Sequence, residues 1–177
     1  MEEENPIENE HKRELPPPAE DTETTPGWIR DYANSLFPIN FDPLEFAYAH
    51  DEFEPFIHDW QGFSFVHPPH ADAQLWVEKA AIEANKGHFS VMFLPAVFNA
   101  VYWREVIYQY ATEIRVFVCP VKLPGKKKQI VSQMCLVVFA GAIEGAEYPP
   151  VFPVEPAGWE NHYYKRPRNR ARFSVNR

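Results

Sequence analysis

Apolar positions in this chain come in short unperiodic runs separated by stretches of helical spacing. Phe63 to Val66 and Phe89 to Leu94 read as buried strands, the second ended by Pro95. Between them, Ala73 to Lys86 predicts a helix. Leu75, Trp76, Ala80 and Ile82 line its apolar stripe, Asp72 stands at its N-cap and Gly87 at its stop. Asn99 to Tyr110 predicts a further helix with Asn99 as cap. Upstream, Pro26 marks a helix start, with Trp28, Ile29, Tyr32 and Leu36 at roughly helical spacing. An extended piece, "INFDP" (39–43), follows, and then an irregular acidic and aromatic stretch to Trp60. Residues 113–141 predict two long strands around a basic tip. A turn centred on Lys127 would set Cys119 opposite Cys135 as core neighbours.

The order is therefore strand, helix, strand, helix, strand, strand, an α/β pattern. The first three strands are apolar throughout, as in a parallel sheet covered on both faces. The last is joined to its predecessor by a short tip, so that pair must be antiparallel. The expected result is a mostly parallel sheet with a terminal antiparallel strand, carried by residues 26–145. Residues 1–25 form an acidic, Pro-containing tail, and residues 146–177 a Pro-rich and then basic extended arm. Residues 1–25 lack the apolar content to offset the entropy of ordering, so they are expected to be disordered or to order only on a partner, and residues 146–177 have no periodicity and no helix-compatible proline spacing.

Composition sharpens this picture in three ways. A length of 177 residues fits one domain with tails, and no apolar run is long enough to cross a bilayer. The acidic N-terminus excludes an ordinary secretory signal, and two cysteines make no disulfide framework, which together predict an intracellular protein with reduced thiols. Charge is unevenly spread: residues 1–25 carry a net −7, residues 26–160 another −7, and residues 161–177 a net +6. An acidic body is a poor free-standing DNA binder, because phosphate contacts supply most of such affinity.

Candidate chemistry sits at His67-Pro68-Pro69-His70, where the first strand ends. With "FDP" (41–43), "DWQG" (59–62), "WVEKA" (76–80), "FLPA" (93–96), "YW" (102–103) and the two last strands, this loop resembles the phage-type DNA adenine-N6 methyltransferase family. The match is colinear from about Phe41 to Phe139. It implies a Rossmann-like methyltransferase fold, here with a shortened donor-side half, and S-adenosylmethionine as cofactor. It also implies DNA as partner, with a flipped adenine held by a polar-Pro-Pro-aromatic loop. On that resemblance His67 takes the place of the Asn or Asp that accepts from the adenine amine. Pro68 and Pro69 aim the loop, and His70 replaces the stacking aromatic residue. Asp42 would lie near the donor.

Both outer positions depart from the family pattern, and none of the seven glycines forms the Gly-x-Gly turn that usually cradles the donor. Two functions are therefore carried forward. One is an S-adenosylmethionine-dependent adenine-N6 methyltransferase. The other is a catalytically inactive relative serving as a structural or assembly subunit, gripping protein partners through residues 1–25 and 146–177. Lys126, Lys127 and Lys128 at the tip, and Arg166, Arg168 and Arg170 in the tail, are the candidate nucleic-acid or partner contacts. His50, His58, His67 and His70 suggest a metal, but a polyproline path would hold His67 and His70 roughly 9 Å apart, so none is expected.

Overall fold

The computed structural model describes residues 25–123, 131–141 and 149–155. Among these residues seven strands run in chain order: β1 (Phe63–Val66), β2 (Phe89–Pro95), β3 (Glu113–Phe117), β4 (Val121–Lys122), β5 (Val131–Ser132), β6 (Met134–Phe139) and β7 (Val151–Val154). The helices are α1 (Gly27–Leu36), α2 (Pro43–Ala49), α3 (Ala73–Asn85) and α4 (Tyr108–Tyr110), the last preceded by a π turn over Trp103–Ile107. Five strands form an open mixed sheet in the order β1-β2-β6-β3-β7, and β4 with β5 forms a separate short ladder.

The apolar runs are explained by burial on both faces. Along β2 and β6 alternate residues enter two cores. Met92, Leu94, Cys135, Val137 and Phe139 pack with α2, α3 and the π turn, whereas Val91, Phe93, Met134, Leu136 and Val138 pack with Ile29 and Ala33 of α1. A strand covered on both sides has no polar face to show in its sequence.

Four expectations are corrected. The antiparallel strand is not terminal: β6 lies inside the sheet, antiparallel to both β2 and β3, and fills the gap that the crossover from β2 to β3 leaves. The edge is instead β7, parallel to β3 and built from residues read as part of an arm. Cys119 does not face Cys135, because β3 ends at Phe117, the chain bends at Val118–Cys119, and Pro120 lacks the N–H to continue the ladder. Cys135 pairs with Val116 instead. Finally, Asp72 stands before α3 but its side chain makes no capping hydrogen bond.

Local differences follow from packing. Helical structure after β2 begins at Val101 rather than Asn99, and its wide turn buries Trp103, Val106 and Ile107. The stripe of α3 runs through Ala73, Trp76, Val77, Ala80 and Ala84, leaving Ile82 half exposed. On α1 it is Ile29 and Ala33 that are buried, while Trp28 lies edge-on to Phe117 at 5.5 Å. Helix α2 was not anticipated; Asp42 and Pro43 are its cap and first residue.

The β7 edge is blunted by its own sequence. Ile114 donates to Pro150 O and Val118 to Val154 O, so in a parallel ladder the backbone of Val151 and Pro153 faces outward. Proline there removes a donor that a further strand would need. At the opposite edge, β1 meets only a single bridge among the described residues, Phe41 to Ser64.

Gly62 shapes the entry to β1. Its φ is +63°, and a Cβ there would stand 2.3 Å from Asn40 Oδ1, which accepts the Phe63 N–H at 2.9 Å. Gly62→Ala is expected to cost about 2 kcal/mol, from left-handed strain and a displaced acceptor. Urea unfolding measures this, and an unchanged midpoint would contradict it.

Candidate functional site

Two places on the fold gather polar side chains, at opposite ends of the strands. The first is the loop at the C-terminal end of β1. His67 is half buried, its Nδ1 lies 3.0 Å from Thr25 Oγ1, and its ring stands edge-on to Phe93 at 4.9 Å. Pro68 is buried. Pro69 is extended, with φ −54° and ψ 135°, and its carbonyl accepts from Asp72 N–H at 3.0 Å. The proline pair thus fixes a rigid exit from the strand. His70 is exposed and opens the 3-10 turn His70–Asp72 that leads into α3.

Asp42 lies beside the first part of β1 and is engaged in local structure on both oxygens. Oδ1 accepts from Leu44 N and Glu45 N, each at 3.0 Å, which caps α2. Oδ2 accepts from Arg30 at 2.7 Å, and the same guanidinium reaches Glu45 at 2.6 Å and lies 4.9 Å over the Phe65 ring. Burial raises the Asp42 carboxyl above its ordinary range, against the lowering effect of the Glu45 N–H and Arg30. Lys126, Lys127, Lys128, Arg166, Arg168 and Arg170 lie outside the described residues.

The histidines suggested for a metal are dispersed. His50 lies tilted against Phe46 at 4.0 Å, and His58 stacks on Phe53 at 5.5 Å while its Nδ1 accepts from Glu54 N. Among the described residues no three His, Cys, Asp or Glu converge as a metal site, and no helix is long and apolar enough to cross a membrane.

The second place, at the N-terminal ends of β1 and β2, was missed from sequence. Glu83 is only 1% exposed on its side chain and accepts from four donors. Lys79 Nζ lies at 2.6 Å, His88 Nδ1 at 2.6 Å, Trp60 N at 2.9 Å and Lys86 Nζ at 3.2 Å. Lys86 also bonds Asp59. Burial alone would raise the Glu83 carboxyl, but these hydrogen bonds outweigh it and hold the group at about 2.

The arrangement is a consequence of how α3 stops. Gly87 has φ +91°; its N–H bonds Ala84 O at 2.9 Å, and His88 N–H bonds Glu83 O at 3.0 Å. This paired closure places His88 directly over the turn carrying Glu83. Lys79 and Glu83 four apart, with His88 just past the glycine, was the available sequence signal.

Beside this cluster opens a cleft of about 510 Å³, lined by Phe53, His58, Asp59, Trp60, Gln61, Gly62 and His88. No family model and no curated protein matches the chain.

Proposed function

We propose that this chain is a catalytically inactive relative of the adenine-N6 methyltransferases, acting as a structural or assembly subunit through its two tails. The observation that carries the reading is Asp42. The side chain that the resemblance sets near the methyl donor has both oxygens engaged, in the α2 cap and in Arg30. His67 supports the same reading, since its Nδ1 is already within hydrogen-bond distance of Thr25.

A second reading, the active methyltransferase, is favoured by the strand order. An antiparallel strand set between two that run the other way, with a Pro-Pro loop at a strand's C-terminal end, suits that fold class. The two differ in what the purified protein does. On the structural reading, the tagged chain elutes from its source with a heavier stoichiometric complex and transfers no methyl group to adenine. Trimming residues 1–24 or 156–177 leaves every described strand in place and releases the chain from that complex. A chain that stays monomeric and methylates DNA would overturn this reading.

A further inference from the structure

We propose that the cleft beside Glu83 is a binding site for an uncharged planar heterocycle of the nucleoside class, with His88 and His58 as its polar contacts. This does not rest on the methyltransferase resemblance, whose loop lies at the other end of the strands.

The hydrogen-bonding roles of both imidazoles are dictated by their neighbours. Glu83 is held ionised and can only accept, so His88 Nδ1, 2.6 Å away, carries the proton. Nε2 is then left on the side away from Glu83, where a ligand can meet it. A buried carboxylate orienting one imidazole nitrogen so that the other serves a ligand is a recurrent second-layer device. At His58 the logic inverts. Glu54 N–H donates to Nδ1 at 2.9 Å, so Nε2 carries the proton and is a fixed donor. The cleft therefore presents one set donor, His58 Nε2, and the outward nitrogen of His88. Gln61 adds an amide that supplies a donor and an acceptor.

The remaining walls point to the ligand's shape. Phe53 and His58, stacked on each other with their planes 22° apart, make part of the wall aromatic. Polar groups beside aromatic rings are what a nucleobase edge and ring require. The cleft, of about 510 Å³, is widely open to solvent, so a ligand lying in it keeps one side in water. The body surrounding the cleft carries a net −7 over residues 26–160, which repels a polyanionic strand and favours a neutral nucleoside.

The test is NMR of the full-length protein, following the imidazole signals of His58 and His88 during titration with adenosine, guanosine, cytidine and uridine. Ribose serves as the control. Saturable shifts of both rings by at least one nucleoside, and none by ribose, are expected. His58→Ala and His88→Gln are each expected to weaken binding at least tenfold, as the loss of one fixed hydrogen bond implies. His58 is exposed, so its variant keeps the fold. The proposal is overturned if no nucleoside moves either ring at millimolar concentration. It is equally overturned if ribose does so alone, or if His58→Ala binds as the wild type does.

Discussion

Glu83→Ala is expected to destabilise the protein by about 3–5 kcal/mol, the usual cost of removing one partner of a buried ion pair. The substitution leaves Lys79, itself 5% exposed, as a cation without its counter-charge, and strips the acceptor from Trp60 N–H. It also removes the Nδ1 partner of His88 and one of the two partners of Lys86, which keeps Asp59. Glu83→Gln keeps the shape but not the charge, so it remains costly. Urea unfolding at neutral pH checks both variants, and a loss under about 1 kcal/mol would mean the cluster is only a solvated surface pair.

The same residue sets an acid limb. Its pKa lies at about 2 in the folded chain against 4.5 as the ordinary value. A depressed carboxylate contributes stability that is fully present above the unfolded value and lost as pH falls through the folded one. At 1.36 kcal/mol per unit, this amounts to roughly 3 kcal/mol, lost between about pH 5 and pH 2. In the Glu83→Ala variant that part of the slope is expected to vanish.

Phe93→Ala is the second large effect, at about 3–5 kcal/mol. Phe93 is fully buried in β2 and meets both His67, at 4.9 Å, and Phe117, at 6.2 Å. Truncation opens a cavity on the α1 face and removes the surface against which the His67 ring is fixed. The expected signature is a lower urea midpoint together with weakened order around Thr25 and His67, read by hydrogen exchange. Stability loss without any change at His67 would show that the loop is held by its prolines alone.

How much of this was legible in the sequence depends on the range of the interactions. β1, β2 and α3 were visible because local apolar runs, Pro95 and Gly87 mark them, and their bounds fall within a residue or so. The exit of β1 into His67-Pro68-Pro69-His70 was visible for the same reason, since proline acts on its own backbone. Strand order was not. Nothing local tells β6 to enter between β2 and β3, and nothing in "VFPV" distinguishes an edge strand from an unattached arm.

Side-chain roles were harder to read where a short-range alternative existed. Asp42, expected near the donor, is an aspartate directly before a proline, and α2 uses it as a helix cap. Asp72 looked like a cap, but its side chain makes no capping hydrogen bond, and its backbone (φ −108°, ψ 8°) is outside the extended region of a capping residue. The Glu83 cluster joins residues 23 positions apart, Trp60 to Glu83, which no periodicity reveals.

The proposed loss of methyltransferase chemistry is tested most directly by calorimetric titration of the full-length protein with S-adenosylmethionine and, separately, S-adenosylhomocysteine. With Asp42 committed to its cap and to Arg30, no saturable heat is expected at millimolar ligand. A dissociation constant near micromolar, about −8 kcal/mol, would contradict that and restore the enzyme reading.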